Sequence, residues 1–157
     1  PNEPVYQYKS PQCDAAIEQI CARKLPVVLE EEFANTLDFV RRIAERTVVV
    51  IPHMGGLNGG YSRLKNIGVF ENPKVWVDTS LSSVREISDF AESYGTDRMM
   101  FGSDYPFGIP AREKEKVTQI LSGNDLRAVL GKNLNKLLQN SHKQAHVATG
   151  RSGVAMP

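Results

Sequence analysis

Four short apolar runs constrain this chain more than any other feature. They are residues 25–29 (LPVVL), 47–52 (TVVVIP), 74–79 (KVWVDT) and 98–102 (RMMFG). Each is followed by a stretch with helical spacing. Phe33, Leu37, Val40 and Ile43 recur along 33–46, and Val84, Ile87, Phe90, Ala91 and Tyr94 along 83–94. The runs are continuously apolar rather than alternating, as expected of strands buried on both faces. An order of α-βα-βα-βα-βα-α predicts an α/β fold with a parallel sheet. Local signals set the helix ends. Ser10 and Pro11 read as N-cap and first residue of a helix reaching about Lys24. Ser83 and Glu86 have capping-box spacing. A short helix is expected over 61–67, and two closing helices over 111–122 and 124–139, with Asn124 as N-cap of the second and Gly131 dividing it. Periodicity fails from Ser141. The expected organisation is therefore a unit over 1–140 with four βα repeats and a flexible tail over 141–157.

Composition narrows the partners. The 19 basic and 18 acidic residues leave a net charge of +1, which gives no electrostatic footprint for nucleic acid or an anionic membrane. No apolar run approaches the ~20 residues of a membrane span. Cys13 and Cys21 lie on one expected helix, about 12 Å apart along its axis, too far for a disulfide. They read as reduced thiols, so a cytoplasmic setting is expected. They lack CxxC spacing and a nearby His, and no metal is assigned to them. Residue 1 is not Met and need not be a natural start.

The candidate chemistry sits where the runs end. His53 closes the second run and is followed by Met-Gly-Gly, whose glycines permit a sharp turn and leave room for a ligand. It reads as a metal ligand or general acid/base, or as a loop His with local hydrogen bonds. Asp104, in Phe-Gly-Ser-Asp-Tyr-Pro, reads as a cation ligand and proton acceptor, or as an ordinary turn Asp. Glu30, Glu31 and Glu32 follow the first run. Acidic residues there suit a helix N-terminus, and Glu30 is the first past the strand. Asp78 and Thr79 are weaker candidates at the end of the third run. Tyr61 and Arg63, after the Gly-rich loop, are candidate substrate-binding residues. His142 and His146 read as solvated tail residues.

The HMGG segment, the FGSDYP segment and VLGKNLNKLL (129–138) together resemble the amidohydrolase-related, metal-dependent hydrolases of TIM-barrel fold. That branch also holds decarboxylases of the aminocarboxymuconate-semialdehyde type. The resemblance covers roughly residues 1–139. It implies that the four runs are strands 5–8 of a (β/α)8 barrel, the C-terminal half. It also implies a divalent metal, zinc first and manganese or iron next, that activates water for attack on a C–N or C–O bond of a small-molecule substrate. His53 takes the sixth-strand role, as second metal ligand or as acid/base. Asp104 takes the eighth-strand ligand position, and Glu30 stands where the fifth-strand ligand is usually His. The family's HxH pair would lie before residue 1.

Three functional readings follow. The first is a metal-dependent hydrolase, or a decarboxylase of the same family, of which this chain is a fragment inactive alone. The second is a non-catalytic α/β fragment that covers its apolar inner face (Val27, Val50, Val77 and Met99 are expected there) by self-association or with a missing N-terminal half-barrel. The third is an open α/β binding module whose GGLNGG loop takes an anion, although that loop lacks the Lys-Ser/Thr of a P-loop.

Overall fold

The computed structural model describes residues 8–149, with side chains as far as Ser141. Four parallel strands, β1 (Val27–Val28), β2 (Val49–Ile51), β3 (Val75–Asp78) and β4 (Met99–Met100), pair in the order β1-β2-β3-β4. The register places Val28 beside Val50, Val50 beside Trp76, and Ile51 beside Val77, which neighbours Met99. Chain order equals spatial order. With crossovers of one hand, that is the winding of a barrel rather than of a sheet with a reversal point.

The helices form where the sequence signals placed them. α1 (Pro11–Ala22) begins at Ser10, whose side chain accepts from the Cys13 N–H. α2 (Phe33–Ile43), α3 (Tyr61–Asn66) and α4 (Val84–Tyr94) connect successive strands. α4 opens with the expected capping box between Ser83 and Glu86. α5 (Pro110–Ile120) and α6 (Gly123–Arg127) follow β4.

The C-terminal end departs from expectation in two ways. Ser122, not Asn124, takes the N-cap position of α6, and the Asn124 Oδ1 instead accepts from Arg127. A wide π-type turn over Ala128–Lys132, which contains Gly131, separates α6 from α7 (Asn133–Thr149). That last helix runs past 139 and into the segment read as tail. Residues 150–157 lie outside those described.

One core cluster joins the sheet to α1, α2, α3, α4 and α5. It contains Ile17, Cys21, Ile43, Val49, Ile51, Leu64, Val75, Val77, Ile87, Phe90, Met99 and Val117. Phe70 sits at its aromatic centre, stacked on Tyr61 and edge-on to Phe90 and Tyr94. The other sheet face carries Val50, Trp76 and Met100, packed against Leu137 of α7. The inner-face set of Val27, Val50, Val77 and Met99 is thus corrected. Val27, Val77 and Met99 belong to the helix side, and Trp76 and Met100 join Val50 on the inner face. Burial on both faces had removed the alternation that would have fixed the parity. Val28, on edge strand β1, is 69% exposed, and Leu134 and Leu138, flanking Leu137 on α7, are also exposed.

Asn133, in the GKNLNKLL segment, holds the start of α7 to the sheet. Its buried amide donates to the carbonyls of Thr96 and Met99, both at 2.8 Å, and so fastens α7 to the start of β4. Asn133→Ala should leave these carbonyls without their donor and lower the unfolding free energy by about 2–3 kcal/mol, read from urea denaturation. A loss under about 0.5 kcal/mol would show that the clamp is replaceable by water.

Candidate active site at the strand tips

Backbone strain collects at the C-terminal ends of the strands. His53 (φ 53°, ψ 29°) and Met54 (φ 48°, ψ 26°) follow β2, Leu81 (φ 53°) follows β3 and Asp104 (φ 51°) follows β4, all left-handed and none of them glycine. Such conformations cost free energy and persist where surroundings over-determine them. After β2, Gly55 (φ 92°) completes the bend, and a side chain there would overlap Leu64. Its carbonyl accepts from the N–H groups of Asn58 and Gly60, both at 2.9 Å. Asn58, fully buried, donates to the Leu29 carbonyl (2.9 Å) and to Thr36 Oγ1 (3.0 Å), tying the Gly-rich loop to the end of β1 and to α2.

The bend carries the His53 ring across to its neighbours. The ring is 8% exposed as a residue. Its Nδ1 lies 2.9 Å from Ser80 Oγ, and its Nε2 lies 3.1 Å from Glu30 Oε2. The His53 backbone N–H donates to Asp78 Oδ1 at 3.2 Å. The same oxygen accepts from the Ser80 N–H at 2.9 Å and from the Ser80 hydroxyl. The tips of β1, β2 and β3 are thereby joined in one polar chain, from Glu30 through His53 and Ser80 to Asp78. The Glu30 side chain is 51% exposed, so the chain ends at solvent.

The structure thus brings Glu30 and His53 together. Asp104 stays apart. Its carboxylate makes no hydrogen bond or ion pair among the described residues, while its carbonyl closes the following turn by accepting from Phe107 (2.8 Å) and Gly108 (3.1 Å). The reason is topological. β1 and β4 lie at opposite sides of the sheet, three strand intervals apart, or roughly 14 Å along it at about 4.8 Å each. Among the described residues no three His, Cys, Asp or Glu side chains form a group able to hold a metal ion. The residues present nevertheless fit part of a divalent site. An imidazole nitrogen and a carboxylate oxygen 3.1 Å apart are both accepted ligand types for zinc or manganese.

Of the two expected substrate-binding residues, Tyr61 is taken up by the core and Arg63 stays exposed. Tyr61 is buried in the helix-side core and donates its hydroxyl to Asp89, which also takes Lys65 at 2.6 Å. Burial, and then the Asp89 carboxylate, push the Tyr61 hydroxyl far above the usual tyrosine range. Lys65 and then Tyr61 hold Asp89 below the usual carboxylate range. Neither group is poised to exchange protons near neutrality. Arg63 lies over the Phe33 ring, 3.4 Å from its centre, at the start of α2. A Gly-rich run followed by an aromatic reads as a binding loop, but the loop packs on α2 through Gly59 and Asn58, and the Tyr61 ring stacks on Phe70. Thr79, a weaker candidate, is fully buried. Ser80 is the residue that sequence reasoning passed over. The available signal was the Asp-x-Ser spacing of an Asx turn.

Comparison with known proteins places these features. The family model for amidohydrolases matches residues 9–139. No curated protein matches the chain. Among solved structures, a TIM-barrel protein of Bordetella bronchiseptica is 18% identical with a TM-score of 0.66, over 87% of this chain and 53% of its own. A 2,6-dihydroxybenzoate decarboxylase of Rhizobium is 15% identical, with a TM-score of 0.64 over 88% and 58%. A candidate 2-pyrone-4,6-dicarboxylic acid hydrolase of Pseudomonas putida is 22% identical, with a TM-score of 0.65 over 87% and 60%. These likenesses establish the TIM-barrel type of fold. The chain spans little more than half the length of the solved structures it matches.

Proposed function

Because the chain belongs to the amidohydrolase family, we propose that it supplies the second half of the active site of a metal-dependent hydrolase acting on a C–N or C–O bond of a small molecule. The observation that carries this reading is the paired Nε2 of His53 and Oε2 of Glu30 at the strand tips, 3.1 Å apart and backed by Ser80 and Asp78. In it, Glu30 would hold a divalent cation together with ligands from the other half-barrel, Asp104 would join it when the barrel closes, and His53 is a further ligand or the acid/base beside the cation. A divalent cation in such a site polarises water or a carbonyl. As acid/base, His53 would hold or move the proton at Nε2; as ligand, the same nitrogen would meet the cation instead. Zinc is the first expectation for the metal, with manganese favoured more than usual because Glu30 is a harder ligand than imidazole. The other half-barrel is proposed to come from a longer polypeptide or from a second copy. Exposed Val28, Leu134 and Leu138 are surfaces such a half would cover. A cytoplasmic location accords with the free thiols of Cys13 and Cys21. No described helix is long and apolar enough to cross a membrane.

The test is metal analysis of the full-length polypeptide that carries this sequence, beside Glu30→Gln. Even the loss of an outer partner of a metal ligand costs about 10–100-fold in affinity, so Glu30→Gln should cost at least that. An intact, folded polypeptide with no affinity for zinc, manganese or iron would overturn the reading. Release of CO2 without hydrolysis would favour the decarboxylase alternative of the same family.

A further inference from the structure

We propose that Ser80, held by Asp78, is a positioning residue that fixes the proton of His53 on Nδ1 and leaves Nε2, beside Glu30, as the basic nitrogen. The inference rests on the reading of His53 as the proton-handling group, but its argument is a count of protons. A serine hydroxyl has one proton to give and two lone pairs to receive with. The Ser80 proton goes to Asp78 Oδ1, and an ionised carboxylate can only accept. Ser80 Oγ therefore meets Nδ1, at 2.9 Å, as an acceptor. Nδ1 must carry the hydrogen, and a neutral imidazole then has its lone pair on Nε2. The opposite tautomer would set two lone pairs face to face unless the hydroxyl abandoned Asp78.

The competing arrangement is Nε2–H donating to Glu30. The Nδ1–H tautomer sets the neutral Nε2 lone pair against Glu30 Oε2. Glu30 is half exposed, however, and can turn to solvent or take a bridging water that donates to both, whereas Ser80 is 1% exposed and its other side-chain partner among the described residues is Asp78. The bond in the buried, low-dielectric position decides the tautomer. The loop that carries Ser80 is also held from behind. Glu113 Oε2 accepts from the Leu81 N–H at 3.0 Å, and Lys116 Nζ donates to the Ser82 carbonyl at 3.1 Å. From the β4 side, even a methyl group on Gly102 would lie 3.1 Å from Asp78 Oδ1 and 3.3 Å from Ser80 Cβ, so the relay has little room to rearrange. A hydrogen-bond partner behind the ring that sets its tautomer and orientation is how an imidazole ligand or base is made single-purpose.

The experiment is long-range 1H–15N correlation of the imidazole rings in the 157-residue chain, in alkaline buffer where imidazoles are neutral. His142→Gln and His146→Gln assign the His53 signals. Nδ1 should read as the protonated, pyrrole-like nitrogen and Nε2 as pyridine-like. In Ser80→Ala the proton should move to Nε2, where Glu30 is the remaining acceptor. If Ser80→Ala loses the native methyl spectrum, Ser80→Cys, a near-isosteric but weak acceptor, should give a mixture of the two tautomers. A wild-type Nε2–H tautomer, or a tautomer unchanged in whichever variant folds, overturns the proposal. Both outcomes are independent of metal binding. An Nδ1–H tautomer in a polypeptide that binds no metal would preserve the relay and reject the hydrolase reading. Metal binding with the wrong tautomer would do the reverse.

Discussion

Gly55→Ala is expected to destabilise the chain by about 2–5 kcal/mol, read from urea denaturation. Two costs combine. A left-handed backbone at φ 92° costs an L-residue about 1–2 kcal/mol. The new methyl group would overlap Leu64 Cδ1, and Leu64 is fully buried against the sheet, so overpacking adds about 1–3 kcal/mol. Gly60 supplies the control. Its φ is 100°, yet nothing lies within 4 Å of a side chain there. Gly60→Ala should therefore show strain without a clash, at a backbone conformation (φ 100°, ψ 140°) close to the glycine-only region. Leu64→Val, which removes the clashing carbon, should couple favourably with Gly55→Ala in a double-mutant cycle. Equal losses at Gly55 and Gly60 would mean that the loop relaxes away from Leu64. In that case the bend that delivers His53 would be less firmly held than the packing implies. The effect bears on function because Gly55 also accepts the N–H groups of Asn58 and Gly60, which hold the Gly-rich loop in place.

The sequence was most legible where one local rule acted alone. The caps at Ser10 and Ser83 and the four βα repeats are set by short-range chemistry and by period, and all are found as read. The face of each strand was not legible. When both faces are buried, nothing in LPVVL or VVVI says which residues point at helices, and Val27, Val77 and Met99 lie on the side opposite to the one expected. The break in the last helix was anticipated at Gly131, but its continuation past Ser141 was not. HKQAHVAT lacks an apolar stripe, and its helix continues from the packed segment around Leu137.

The site divides the same way. His53 and Glu30 could be paired from the sequence because each ends a strand and the strands are neighbours in the sheet. Tyr61 could not be placed, because whether a residue at a helix start faces a site or the core depends on how the preceding glycines turn. They turn toward α2. Ser80 could not be weighed, because its role depends on which partner takes its single proton. Only the contact to Asp78 decides that. Asp104 could be named by motif, yet its distance from Glu30 is a property of an arc of strands rather than of either segment.

His53→Asn in the full-length polypeptide should lower kcat by about 10²–10⁴-fold, the usual contribution of a positioned acid or base, while the chain stays folded. Asn is chosen because it adopts the left-handed backbone more readily than most residues. The bend at φ 53° then survives the exchange, and Asn58, Gly55 and the Gly-rich loop keep their bonds. What is lost is the ring that spans from Ser80 to Glu30. Alanine would be a poorer choice, since backbone strain and loss of the ring would change together. The measurement is turnover on amide, ester and lactone substrates, with the urea midpoint determined in parallel. A kcat within threefold of the parent would remove His53 from the chemistry and return it to the role of a buried loop histidine. A large loss of stability together with kcat would show that the ring, through Ser80 and Asp78, braces the strand tips. The two effects should separate because the bend is held chiefly by backbone bonds and glycine geometry. The imidazole is held by side chains that converge on it from β1 and β3. A fold that carries a left-handed, non-glycine residue at a buried strand tip, and then surrounds its ring with a carboxylate and a committed hydroxyl, has more constraint there than packing alone requires.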